Sequence, residues 1–230
     1  MRLLILKSSL ISMFSCLVTI PYFHYLVFKV SPITIQRDYS NPWSLIFAEL
    51  FLLFFVCLLA SASGLIFTNR YDLPGFCKGK LTSLNVTLLI FIGAALVFLS
   101  YTIFDRIFYL ISPQSYPKEI VYIATFPLKG AFVEEVILRF CMVTLAYGLL
   151  RQKIASVVVV SFFSSLFSLQ YFKYIGEDLQ ANNLYIIQFL LSFTVNIILG
   201  YLFITKGLIH SMILKFILYL KYPLVHLLIG

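Results

Sequence analysis

Residues Trp43–Thr68 read WSLIFAELFLLFFVCLLASASGLIFT, a run whose one charged side chain is Glu49. At about 1.5 Å of rise per residue, a helix of this length exceeds the ~30 Å of a bilayer's hydrocarbon core, and apolar runs of this kind are membrane spans. The pattern repeats outward in both directions, in Ser8–Val30, Leu84–Ile111, Ile120–Leu150, Ile154–Phe172, Leu184–Ile204 and Leu208–Leu228. Turn-forming residues punctuate the gaps: Ser31-Pro32 to Asn41-Pro42, Asp72-Leu73-Pro74-Gly75, Ser112-Pro113 to Pro117, and Gly176 to Asn183. The expected fold is all-α, a polytopic transmembrane helix bundle of about seven spans. It forms a single integral membrane domain over 1–230, without an internal repeat. The fourth run is too long for one straight crossing, and Pro127 with Gly130 is expected to break it ahead of a main helix from Ala131 to Leu150.

Composition agrees. Of 230 residues, 61% are apolar and 11% charged, with a mean hydropathy of +1.00, where a soluble domain carries about 45–50% and 25%. A soluble globule, a disordered chain, collagen and a coiled coil are excluded together. The net charge of +8 is explained by the bilayer without nucleic acid. Arg2 and Lys7, then Arg70, Lys78 and Lys80, then Arg151 and Lys153, then Lys206 fall in alternate connections, which by the positive-inside rule puts the amino terminus in the cytoplasm. The expectation is a multi-pass protein of an inner or plasma membrane, with membrane lipid as its first partner. No cleavable signal is evident before Pro21 and His24, because the first apolar run outlasts a signal core. Cys16, Cys57, Cys77 and Cys141 lack metal-ligand spacing and read as free thiols, and no cofactor or metal site is expected.

Charged side chains at membrane depth are functional candidates because each costs ~2.5–3.5 kcal/mol on insertion scales. The densest group is Glu134-Glu135-Val136-Ile137-Leu138-Arg139. Glu135 and Arg139 stand at i and i+4 on one helical face and can pair. Glu134 points about 100° away with no partner on its own turn. That is the condition under which a buried carboxylate serves as a general base, although both glutamates could equally make structural bonds between helices. Asp105-Arg106 is expected to snorkel to the interface, His210 to be an interfacial histidine, and His24 and His226 to be packing residues. Gln170, Gln188 and Asn196 either line a polar cavity or bond across helices.

Glu134-Glu135-x-x-x-Arg139 resembles the first signature of the CAAX-protease and bacteriocin-processing family of membrane-embedded peptidases, also called the Abi family. The resemblance continues through Val157–Tyr171 (VVVVSFFSSLFSLQY), similar to a second-signature helix ending Phe-x-x-x-His, and Leu199–Tyr219 (LGYLFITKGLIHSMILKFILY), similar to the third-signature hairpin ending His-x-x-x-Asn or Asp. It covers about residues 130–219 and implies the CAAX prenyl protease fold. By this resemblance Glu134 is the base of a glutamate-dependent endopeptidase, and Glu135 with Arg139 holds and orients its helix. The implied substrate is a membrane peptide or lipid-modified protein. Three motif positions depart from the pattern: Tyr171 and Lys215 stand where the family has histidines, and Tyr219 where it has Asn or Asp. A phenol donates a hydrogen bond but does not share base work near neutral pH as an imidazole does, and an ammonium has no lone pair. Two readings therefore stay open: an intramembrane endopeptidase with Glu134 activating water, and a pseudo-protease that binds a peptide or membrane partner as an immunity or regulatory protein.

Overall fold

A computed structural model describes residues 2–30, 41–77, 81–111, 116–175 and 182–229; the side chains of 2, 29, 30, 111, 171–175, 182, 226, 227 and 229 lie outside the described residues. Every regular element among the described residues is helical. In chain order these are α1 (Arg2–Tyr25, with a π turn Leu26–Val30), α2 (Pro42–Arg70) and α3 (Ser83–Ser100, continued by a π turn Tyr101–Asp105 and by Arg106–Ile111). Next comes α4, running without interruption through Ile120–Lys129, Gly130–Glu134, Val136–Val143 and Thr144–Leu150. Then follow α5 (Lys153–Ile175), α6 (Asn182–Lys206), α7 (Leu208–Tyr219) and α8 (Lys221–Ile229).

Local chemistry sets the helix ends. Asn41 caps α2 by accepting from the Trp43 N–H at 3.0 Å, with Pro42 in the first turn, where its missing N–H costs nothing. Thr82 caps α3 by accepting from the Asn85 N–H. Left-handed Arg151 (φ 57°) turns the chain from α4 into α5. Gly207 (φ 102°) turns it from α6 into α7, a conformation that favours glycine.

Six described helices are long and apolar enough to cross a membrane: Leu3–Phe28, Pro42–Arg70, Ser83–Leu110, Lys153–Gln170, Asn183–Lys206 and Leu208–Val225. The protein is a multi-pass membrane helix bundle. The remaining long helix, α4, carries Lys129, Glu134, Glu135 and Arg139. It is enclosed by α1, α2, α5, α6 and α7, so its charges face protein and not acyl chains. Its Val136, Phe140 and Val143 form the main core with Val157 and Val160 of α5, Phe203 and Ile204 of α6, and Leu208. Helix α4 is not among those six, and the expectation of about seven spans takes it as the seventh crossing.

Two expectations are corrected here. Pro127 and Gly130 do not break the fourth run, and Gly130 keeps helical angles (φ −62°, ψ −45°). Proline removes one backbone donor, and the strain appears as a change of hydrogen-bond register, with α4 π-helical over Gly130–Glu134 and Val136–Val143. His210 is buried and not interfacial, because the loop after α2 closes over the start of α7. The Leu208 and Ile209 N–H groups donate to the Gly75 and Phe76 carbonyls at 3.0 and 2.9 Å. That closure brings together the ends carrying Arg70, Arg151 and Lys206. The Arg151 guanidinium stands 4.9 Å from the Tyr71 ring centroid, so three of the basic connections share one end of the bundle.

Candidate functional site

The π register of α4 decides which side chains meet. In an α-helix, residues five apart are turned by about 140° and do not face each other. With i→i+5 bonding the turn is wider and that offset shrinks, and Lys129 Nζ donates to Glu134 Oε1 at 2.8 Å. From across the bundle, the Tyr219 hydroxyl donates to the same oxygen at 2.6 Å. Lys215, one turn earlier on α7, places its Nζ 3.1 Å from Glu134 Oε2. The expectation that Glu134 has no local partner is therefore corrected by Lys129, five residues earlier. Its carboxylate is held by two ammoniums and a phenol, using three of about four acceptor sites. Tyr219 reaches it because Gly130 leaves room: a Cβ there would stand 2.5 Å from the tyrosine ring.

Glu135, one residue on, is turned away from this cluster and is fully buried with Arg139. Arg139 Nε lies 3.7 Å from Glu135 Oε2, a charge contact longer than a hydrogen bond. Arg139 Nη2 donates to Asn196 on α6, to the side-chain Oδ1 at 2.5 Å and to the backbone carbonyl at 3.5 Å. Asn196 in turn donates to Ser165 of α5 and Ser192 of α6 at 3.4 and 3.3 Å. This network ties α4 to α5 and α6 behind the Glu134 face. Neither oxygen of Glu135 has a hydrogen-bond partner among the described residues, nor does either ring nitrogen of buried His210.

Glu134, Lys129, Lys215 and Tyr219 line a cavity of about 540 Å³. At its far side lies a second charged cluster that the sequence reading did not anticipate. Asp105 is 1% exposed and does not snorkel. It accepts from Ser100 Oγ at 2.5 Å, from the Tyr116 hydroxyl at 2.9 Å and from Lys221 Nζ at 2.8 Å. The cause is local: α3 passes into a π turn at Tyr101–Asp105 that carries the carboxylate inward, while Arg106 remains exposed. Tyr116, in the loop before α4, has its phenol pushed up by burial and by the Asp105 charge, so it stays a neutral donor.

Of the motif positions taken from the sequence, Glu134, Lys215 and Tyr219 are in direct contact, and Glu135 with Arg139 backs them. Tyr171 lies in α5 one turn after Phe167 and Ser168, which line the cavity; its side chain is outside the described residues, as is that of His226. His24 bonds Tyr122 through Nδ1 at 2.7 Å and stacks among aromatic rings, a packing residue as expected. Gln188 and Asn196 both line cavity walls, and Asn196 also bonds across helices. Four charged or polar contributors were missed as site residues: Lys129, Asp105, Tyr116 and Lys221. Lys129 carried a usable signal, a lysine five residues from a membrane glutamate and two after a proline. Among the described residues no three of His, Cys, Asp and Glu gather as a metal cage requires.

Comparison with known proteins locates the same region. Residues 116–220 match the family described as type II CAAX prenyl endopeptidase Rce1-like. No curated protein and no solved structure matches the chain.

Proposed function

From the match of residues 116–220 to the type II CAAX prenyl endopeptidase Rce1-like family, we propose that the chain is a member of that family and works as a binding protein which retains an intramembrane cavity without cutting peptides. One observation carries this reading: both oxygens of Glu134, the residue at the position of the family's base, are engaged by Lys129, Lys215 and Tyr219. A general base must offer a lone pair to a water and take its proton. Here that would mean breaking ion pairs to Lys129 and Lys215 inside a helix bundle, where charge separation is costly. The motif histidines that would share the proton are replaced by Tyr171 and Lys215, and the third-signature Asn or Asp by Tyr219.

The ligand class that the resemblance suggests is a membrane peptide or a lipid-modified chain, bound as an immunity or regulatory protein would bind it. The competing reading, an active endopeptidase, draws support from the part of Glu134 that remains open to the cavity, its side chain being 23% exposed. The deciding experiment uses the purified full-length protein in detergent with a prenylated CAAX peptide and an apolar leader-type peptide, products being read by mass spectrometry. The proposal expects no cleavage above that of the Glu134→Gln variant. Cleavage that Glu134→Gln abolishes, with the variant still folded, would establish the endopeptidase instead.

A further inference from the structure

Among the described residues the cavity's charges do not balance. Among the described residues lining it, Lys129, Lys215 and Lys221 are positive, while Glu134 and Asp105 are negative. Asp105 is matched by Lys221 at 2.8 Å, but Glu134 alone faces two ammoniums. The surplus positive charge lies within the bundle, where an uncompensated ammonium is costly. Cation–π contacts of Lys129 with Tyr22 (4.3 Å) and Lys215 with Tyr219 (5.3 Å) offset part of that cost. A bound anion would offset the rest, and each ammonium has three N–H donors with which to meet it.

A second hollow of about 390 Å³ adjoins the first. The two share a wall built by Ser168, Ser192, Lys215, Tyr219, Lys221 and Tyr222. Beyond that wall the lining is mainly aliphatic, from Leu96, Leu99 and Ile103 of α3 and Leu190, Leu191 and Val195 of α6. Leu99, Ile103 and Leu190 are also exposed on the bundle's outer face, so the groove opens sideways. A polar chamber with one excess positive charge is thus joined through two lysines to an apolar groove that an acyl chain can enter from the membrane.

The geometry points to a single-chain amphiphile with one negative charge, a long-chain carboxylate, as the ligand. Its head sits between Lys215 and Lys221, and its chain lies in the groove between α3 and α6. Charge selects the head: one carboxylate cancels the surplus, whereas an uncharged head leaves it. Volume selects one chain, since the groove is at the small end of the ~300–1,000 Å³ usual for small-molecule sites. The lining disfavours an extended peptide in the groove, because each peptide residue brings a donor and an acceptor, and Gln188 and Thr194 are among the few polar groups away from the shared wall. The inference rests on the non-cleaving reading above, and in place of the peptide-type ligand suggested by the resemblance it puts a free long-chain carboxylate.

The test is displacement of a fluorescent fatty acid from the full-length protein in dodecyl maltoside, with palmitate, hexadecanol and an apolar peptide bearing a free C-terminal carboxylate as competitors. Palmitate should compete at least about tenfold better than hexadecanol, the scale of one charge-assisted hydrogen bond. Lys215→Met and Lys221→Met should each weaken palmitate. Glu134→Gln, which removes the competing carboxylate, should tighten it, an effect that misfolding cannot imitate. Equal competition by hexadecanol and palmitate, preferential competition by the peptide, or Glu134→Gln weakening palmitate would each overturn the inference. Those results leave the cleavage assay unaffected, so failure of the ligand class is distinguishable from failure of the non-cleaving reading.

Discussion

Glu134 holds three partners at once, so its energetics are shared and not additive. Glu134→Gln leaves Lys129 and Lys215 facing each other without their common anion, and Lys215→Met leaves Glu134 with Lys129 and Tyr219 alone. Because the groups are half-buried and partly screened, each single change should cost about 1–3 kcal/mol. The double variant should cost less than the sum by about 1 kcal/mol or more, measured as thermal unfolding in detergent. Strict additivity would mean that the contact contributes nothing. Behind this face the stakes are higher. Glu135→Ala strips the fully buried Arg139 of its counter-charge, and breaking one side of a buried pair costs about 3–5 kcal/mol. Asn196→Leu removes the acceptor that Arg139 uses, and about 1–3 kcal/mol is expected. A Glu135→Ala protein as stable as Asn196→Leu would show that the Glu135–Arg139 contact is not an ion pair of consequence.

At the scale of the element, α4 is the part whose reading from sequence succeeded least. The contact of Glu135 with Arg139 is expected from i,i+4 geometry, but with Arg139 in the π-helical stretch it loosens to a 3.7 Å charge contact and the arginine turns to Asn196 for its hydrogen bonds. The apparent isolation of Glu134 followed from the same α-helical arithmetic applied where it does not hold, since Lys129 becomes its neighbour only in π register. No periodicity in the run announces that register; Pro127 is the one local hint, and the crowding of α4 by five helices completes the cause. Gly130 has a matching role, giving Tyr219 the space to reach Glu134. Gly130→Ala should therefore destabilise by about 1–3 kcal/mol through overpacking, seen as a lower unfolding temperature. Adding Tyr219→Ala should recover part of that loss, whereas an unaltered penalty in the double variant would place the strain elsewhere.

For the whole molecule, the expected seven crossings would place Arg151 and Glu119, at opposite ends of α4, on opposite sides of the membrane. With the four native cysteines replaced, Arg151→Cys should react with an impermeant maleimide only from the cytoplasmic face and Glu119→Cys only from the other. Labelling of both from one face would remove α4 as a crossing. The positive-inside pattern predicts which face is which, and the convergence of Arg70, Arg151 and Lys206 at one end of the bundle agrees with it.

The chain's apolar runs, its cap residues and the order of its motifs were sufficient to define an all-helical membrane bundle and the segment that carries the candidate site. They sufficed because lipid forces every spanning segment to satisfy its own backbone, which leaves a legible one-dimensional signal. Long-range contacts leave no such signal. That Lys215 and Tyr219 close on Glu134, that Lys221 meets Asp105, and that the loop at Gly75 and Phe76 buries His210 all depend on how distant helices and loops dock. Those contacts, made by residues far apart along the chain, turn a glutamate that looks solitary in the sequence into a paired charge.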